Sequence, residues 1–254
     1  MNATTHAEAI LLSLGITSPR EINLEAIAWT RGAVINYRPL QRCEATIVGS
    51  QRRAVISVNS QSCPERQRFS IGHELGHWHH HKGQLLFCSG RDIENCAYDP
   101  LNPERHADEF ASDLLLPNYM LLPKLRKIRR PTLAATRELA GEFCASQTAM
   151  LLKITLSNQF PMMIVCHDTT GRRWFRGAPS VQRWWFPRKD LDRETFAAGI
   201  LFEGASEQRL PNKVPAEAWF DFNGCDRFEV DEQSFMLPNR EVLTVLRLPD
   251  EALG

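Results

Sequence analysis

An H-E-x-x-H motif at residues 73–77 limits what this chain can fold into more than any other feature. On an α-helix, residues four apart lie about 40° apart around the axis and ~6 Å apart along it. Two imidazoles at that spacing can bind one tetrahedral metal ion. A capping pattern from Ser62 to Glu65, with Pro64 in the first turn, predicts that a helix begins shortly before the motif.

A second helix downstream offers a third ligand, which matters because H-E-x-x-H also arises by chance. The stretch NPERHADEFASDLLLP has a good N-cap in Asn102, Pro103 in the first turn and Pro117 at its end. Its apolar positions form one core stripe: Ala107, Phe110, Ala111, Leu114 and Leu115. Glu104 and Asp108 lie four apart on one face beside this stripe. This E-x-x-x-D spacing is typical of thermolysin-like zincins.

Two glycines inside the motif helix carry a further structural prediction. Gly72 and Gly76 each cost about 1 kcal/mol relative to alanine in a helix interior. A cost of that size is understandable if another backbone comes close to this face of the helix.

Composition narrows the class of protein. Lys and Arg together number 30, as do Asp and Glu, so the formal net charge is zero and gives no global attraction to nucleic acid or to anionic membranes. The first 20 residues lack the basic and apolar segments of a signal peptide or a membrane span. The seven cysteines are scattered and odd in number, which favours reduced thiols and a cytoplasmic location.

The chain resembles the ImmA/IrrE-type metallopeptidases over roughly residues 8–158. The blocks that carry the resemblance are RQRFSIGHELGH, ERHADEFASDLLLP and LAGEFCASQTAMLLKITL. The resemblance implies a Zn²⁺ cofactor held by His73, His77 and Glu104, with Glu74 as the general base. Two imidazoles and one carboxylate leave an open fourth position, which is the catalytic kind of zinc site. Asp108 is then expected to orient a ligand histidine.

The remaining polar residues near the motif have several interpretations. His81 lies eight residues after His73 and is a candidate to support a ligand, whereas His79 and His80 read as helix-end residues and His106 as a surface residue. Cys88 and Cys96 fit no common zinc spacing and are interpreted as ordinary thiols. The candidates for an oxyanion donor are Tyr98, Tyr119, His106 and His81, and the sequence does not choose among them.

The sequence predicts an α+β fold with three parts. They are a zincin-like domain of a small sheet plus helices at residues 1–125, a helical segment resembling a helix-turn-helix at 126–159, and a small C-terminal α/β domain at 160–254. The helical segment brings few DNA-reading side chains, so a packing role is preferred. The C-terminal strand and helix order is compatible with a GAF- or PAS-like sensor, and its four tryptophans fit either core packing or a recognition surface.

These observations favour a zinc metalloendopeptidase that cleaves a regulatory protein, such as a phage-type or stress repressor or an antitoxin. Nucleic acid is not expected to be a direct ligand. One alternative is a non-proteolytic zinc module that regulates by binding a partner protein or DNA; another is a hydrolase of small amides. By analogy with thermolysin-like folds, residues 53–59 are expected to form an edge strand to which an extended substrate adds as another strand.

Overall fold

A computed structural model describes residues 4–50, 52–80, 86–87 and 102–254 of the chain. The chain forms two compact units. The first comprises Met1–Lys124 and Leu139–Ala149, and the second comprises Leu125–Glu138 and Met150–Gly254. The helical segment therefore contributes to both units, and the division of the sequence at residues 125 and 159 stays a prediction. The mixture of helices and small sheets agrees with the predicted α+β class.

The first unit contains a four-stranded sheet and the helices that carry the motif. In chain order its elements are α1 (His6–Ser13), α2 (Leu24–Thr30), β1 (Ala33–Arg38), β2 (Ala45–Ser50), β3 (Arg53–Asn59), α3 (Pro64–His80), β4 (Leu86–Phe87) and α4 (Pro103–Leu115). The three predicted strands before the motif are confirmed to within a few residues.

The order of strands in this sheet is β1-β3-β2-β4. β3 pairs in parallel with β1 along its whole length and antiparallel with β2. The prediction that residues 53–59 form an edge strand is therefore wrong, because both edges of β3 are already used in the sheet. Alternation along β3 was read correctly, since Ala54, Ile56 and Val58 are buried while Val55 is exposed.

Helix α3 begins at Pro64 as predicted. The Ser62 hydroxyl, a member of the predicted capping box, donates a hydrogen bond to the carboxylate of Glu44. The side-chain amide of Gln67 donates to the carbonyl oxygens of Asn59 (3.1 Å) and Ser62 (2.9 Å), which fastens the start of α3 to the end of β3.

Helix α4 follows the sequence prediction closely. The Asn102 side chain accepts a hydrogen bond from the backbone N–H of Glu104 at 2.9 Å, and Pro103 is the first helical residue. All five residues of the predicted core stripe are buried. One face of α4 is thus fixed in the core, which leaves Glu104 and Asp108 at the border of that face.

Three helices follow: α5 (Asn118–Leu125), α6 (Leu133–Phe143) and α7 (Gln147–Leu156). Ser146 caps α7, as predicted, by accepting from the N–H of Ala149 at 3.1 Å. The position of α7 corresponds to a recognition helix, yet half of its ten residues are buried, including Lys153. This burial favours packing over reading of DNA bases.

The second unit is built on a five-stranded antiparallel sheet. Its elements are β5 (Met162–Asp168), β6 (Gly171–Gly177), α8 (Phe196–Glu203), β7 (Asn212–Pro215), β8 (Glu229–Met236) and β9 (Val242–Arg247). The strand order is β6-β5-β9-β8-β7. The sequence pattern predicts two strands, one helix and three strands in this region, and this order is observed. The strand predicted at residues 214–222 is shorter, because β7 ends at Pro215 and a 3-10 helix follows at Ala216–Ala218.

The tryptophans of the second unit divide between core and surface. Trp185 and Trp219 are buried in its hydrophobic core, together with Phe220, whereas Trp184 is 57% exposed. The core also contains the Glu232 carboxylate, which accepts hydrogen bonds from the Trp219 indole (3.0 Å) and from the first turn of α8 (2.7 Å). Among the described residues, no helix has the length and apolar character that a membrane span requires.

Candidate metal centre

The backbones of α3 and α4 approach each other closely on the glycine face of α3. A Cβ atom added at Gly76 would lie 2.8 Å from the Cα of Ala107, and one added at Gly72 would lie 3.2 Å from the Cα of Ala111. The two glycines therefore allow the approach that their sequence positions predicted. This contact brings the motif on α3 next to the carboxylates on α4.

Three side chains converge at this contact. Nε2 of His73 lies 3.1 Å from Oε2 of Glu104, and Nε2 of His77 lies 3.3 Å from Oε1 of the same carboxylate. The two Nε2 atoms are 3.0 Å apart. Within the described part of the chain, these are the residues whose ligand atoms gather closely enough to hold a metal ion. Both imidazoles are buried, while Glu104 is partly exposed.

Asp108 fixes the orientation of one imidazole. Its Oδ1 lies 2.8 Å from Nδ1 of His73. Burial alone would lower the pKa of His73, but the hydrogen bond to Asp108 and the charges of Asp108, Glu74 and Glu104 outweigh it and raise that pKa. When Nδ1–H donates to Asp108, the lone pair of a neutral His73 is on Nε2, toward the other ligand atoms.

Glu74 lies on α3 between the two histidines and is 4% exposed. Its Oε2 atom is buried and has no hydrogen-bond partner among the described residues. Burial raises the pKa of Glu74 to about 7, against the opposing effect of His73 and with support from the charge of Glu104. A carboxyl group with this pKa exchanges a proton readily near neutral pH, which is the property a general base needs.

The match to a known family agrees with this geometry. Residues 30–155 match the model of the IrrE N-terminal-like domain, which is a peptidase family. Residues 30–155 belong to this family. The matched range includes α3, α4 and all three convergent side chains, so the IrrE N-terminal-like domain of this chain contains a complete set of candidate metal ligands.

Comparison with solved structures extends over both units. The chain is similar to a Mycobacterium tuberculosis transcriptional regulator, with 14% sequence identity and a TM-score of 0.61. The similarity covers 95% of this chain and 86% of that one. At 14% identity, this similarity shows a shared fold alone. No curated protein sequence matches the chain.

The structure describes only one of the five other candidate residues considered next. His81, Tyr98, Cys88 and Cys96 lie outside the described residues. The hydroxyl of Tyr119 donates to the carbonyl oxygen of Ile16 at 2.7 Å, so it is engaged away from the centre.

One positioning residue was not found from the sequence. Trp78, directly after His77, is fully buried and its indole N–H donates to the carbonyl oxygen of Arg31 at 2.8 Å. Its ring occupies the space that a side chain at Gly49 would need. These contacts tie α3 to the end of α2 and to β2, which fixes the helix that carries both imidazoles. Nothing in the sequence pairs residues 78 and 31.

Proposed function

We propose that this chain is a zinc-dependent endopeptidase that cleaves a regulatory protein, such as a repressor or an antitoxin, in the cytoplasm. The observation that carries the proposal is the buried, unpartnered Oε2 of Glu74 beside the two imidazoles and the Glu104 carboxylate. A buried carboxylate oxygen without a partner is costly, and it is expected at a site where substrate or water completes the hydrogen bond.

The donor set fits Zn²⁺. His73 and His77 would supply imidazole nitrogen and Glu104 carboxylate oxygen, the ligand types that catalytic zinc sites use with one position left open. Bound Zn²⁺ supplies Lewis-acid polarisation of the scissile carbonyl and acidifies water. Asp108 holds the His73 ring and its tautomer through the 2.8 Å hydrogen bond.

Proton transfer is assigned to Glu74. Its carboxylate would accept a proton from the attacking water and then donate it to the leaving amine. The three ligand side chains need not change protonation in either step, which separates metal binding from acid–base catalysis.

The proposed substrate is a protein, and the proposed compartment is reducing. The described cysteines are free thiols: Cys43, Cys63, Cys144, Cys166 and Cys225. The family is a peptidase family, and a similar fold occurs in a protein named as a transcriptional regulator, which supports a regulatory context. The segment of the substrate that is cleaved is expected to be extended and unstructured, because its backbone must reach the two buried imidazoles.

A Glu74→Gln variant tests the proposal. It should retain one zinc per chain and lose cleavage of the substrate, for which the products of the neighbouring genes are the first proteins to assay. Glu109→Gln is the matched control, because Glu109 is an exposed carboxylate of α4 paired with Arg105. Cleavage that persists in Glu74→Gln would contradict the assignment of the base.

The second candidate function is regulation by binding without cleavage, favoured by the fold shared with a named regulator. Under that function the wild type and Glu74→Gln bind the partner equally, and neither cleaves it. The unpartnered Glu74 favours the peptidase, since a binding module does not require a buried base.

A further inference from the structure

A run of basic and aromatic residues in the second unit has no part in the proposed peptidase centre. Residues 171–189 contain six basic residues and no acidic one, in a chain whose formal net charge is zero. The same stretch includes five aromatic residues. Such a local excess of one charge attracts the opposite charge even where the whole chain is neutral. The basic residues are Arg172, Arg173, Arg176, Arg183, Arg188 and Lys189.

Contacts within the second unit place this run along one edge of its sheet. β6 stands first in the strand order and is therefore an edge strand. The chain that follows β6 runs back beside it, because the N–H of Arg172 donates to the carbonyl oxygen of Lys189 at 2.6 Å. The rings of Phe175 and Phe186 also meet, with centroids 5.0 Å apart. Both halves of the run therefore lie at the same edge of the sheet.

Half of the basic residues are already engaged within the unit. The Arg172 guanidinium lies 4.4 Å from the centroid of the Phe186 ring. Arg173 forms ion pairs of 3.5 and 3.9 Å with two carboxylates, and Nε of Arg188 donates to a backbone carbonyl oxygen at 2.8 Å. These three cations hold β6 and the returning chain in place and are not available to a partner.

The other three basic side chains are exposed. They are Arg176, Arg183 and Lys189, and none of them takes part in the ion pairs that the described residues of the second unit form. Beside them, Trp184 is 57% exposed and Phe186 is 54% exposed. Tryptophan and arginine are among the residues that most often dominate binding at protein interfaces. We call these five residues the basic-aromatic edge.

The charge and the rings together favour an acidic protein segment over single-stranded nucleic acid. Exposed arginines form charge-assisted hydrogen bonds with carboxylates, and the edge stays net positive when the exposed Asp190 beside it is counted. A nucleic-acid strand needs several free ring faces for its successive bases. Of the two rings of the edge, Phe186 is already in contact with Arg172 and Phe175. Trp184 is the ring left to stack, which suits a single anchoring contact.

We propose that the basic-aromatic edge docks an acidic segment of a partner protein. Trp184 packs on an apolar side chain of that segment, while Arg176 and Arg183 bind its carboxylates. The edge shares no residue with the proposed metal centre, so docking requires neither zinc nor Glu74. Because the charges are exposed, the affinity should be modest and should fall as the salt concentration rises.

Binding of a labelled synthetic peptide to the full chain tests this proposal. The probe is a short peptide of glutamate and leucine, followed by fluorescence anisotropy, and the Glu74→Gln variant is used so that the peptide stays intact. It should bind at least about tenfold more tightly than a peptide with lysine in place of glutamate. Trp184→Ala and Arg183→Glu should each weaken binding at least about tenfold, whereas Arg183→Lys should weaken it less.

Two exposed residues outside the edge provide matched controls. Trp29→Ala removes a tryptophan of the first unit that is 73% exposed, and Arg126→Glu reverses an exposed arginine of the second unit. Each should bind the peptide within about twofold of the parent chain. Circular dichroism checks that every variant is folded.

Four results would overturn the proposal. They are unchanged binding by both Trp184→Ala and Arg183→Glu, an equal loss in Arg126→Glu, which indicates unspecific attraction between charges, tighter binding of single-stranded oligothymidine than of the acidic peptide, which identifies nucleic acid as the ligand, and no binding of the acidic peptide by the folded chain at millimolar concentration.

Discussion

Replacing Gly76 with alanine should damage the metal centre through the backbone of α4 and not through any ligand. The added Cβ would lie 2.8 Å from the Cα of Ala107 and 3.1 Å from its carbonyl oxygen. Ordinary contact begins at 3.4 Å, so α4 must move by about 0.6 Å or more. Glu104 lies one helical turn before Ala107 and should move with it.

The magnitude follows from two opposing terms. Alanine favours the helix by about 1 kcal/mol relative to glycine, while overpacking of a close contact costs about 1–3 kcal/mol. A net loss of up to about 2 kcal/mol in the free energy of unfolding is therefore expected. Zinc binding should suffer as well, because ligand distances tolerate shifts of only about 0.2 Å, and zinc affinity should fall at least about tenfold.

Two further glycines make a graded series. Gly72→Ala meets the Cβ and Cα of Ala111 at 3.1 and 3.2 Å, so its effect should be intermediate. Gly141→Ala, in α6, meets nothing within 4 Å and should stabilise the chain by up to about 1 kcal/mol. Urea denaturation of the metal-free protein and chelator competition for zinc measure the two quantities. A Gly76→Ala variant that binds zinc like the wild type would refute the reasoning.

Three other changes give independent tests. Asp108→Asn should keep one zinc per chain but weaken it about 10–100-fold in chelator competition, because the His73 ring loses its charged partner; unchanged affinity would contradict this role. Trp78→Phe should lower the free energy of unfolding by about 1–3 kcal/mol, since the Arg31 carbonyl loses its donor. Burial lowers the pKa of His167 to about 4 from its ordinary 6.5, so the folded state binds fewer protons; the stability that the neutral ring contributes is present above pH 6.5 and lost as the pH falls toward 4. A folded His167→Asn variant should lack this loss in denaturation curves between pH 7 and 4.5.

The candidate centre could be predicted from sequence because its information is local. The spacing of His73 and His77, and of Glu104 and Asp108, is fixed by the helical repeat. Capping by Asn102 and the buried stripe of α4 set which face turns inward. Gly72 and Gly76 predicted that another backbone lies close to this face of α3, and the structure shows that this backbone is α4.

Other features depend on contacts between distant residues, and these the sequence did not reveal. His6 joins His79 and His80 across more than 70 positions, and no pattern in the sequence relates them. The sequence also did not locate strand β6, because its arginines and aromatic residues do not form the largely apolar run seen in β5 and β9. The burial of His167 also involves a residue that is distant in the chain, because its ring contacts that of Trp219.

The error about β3 shows where periodicity stops being informative. Alternation along residues 53–59 identifies which side chains are buried, but it is the same for a central strand and for an edge strand with one covered face. Position in the sheet is decided by the parallel pairing of β1 with β3, which joins residues about 20 positions apart. Because the backbone groups of β3 pair with β1 on one side and β2 on the other, a substrate cannot add to it as a further strand. Proline within 55–58 would therefore remove hydrogen bonds of the sheet itself. Its effect on cleavage would report the folding of the first unit, and a search for the substrate-binding strand belongs at the two outer edges, β1 and β4.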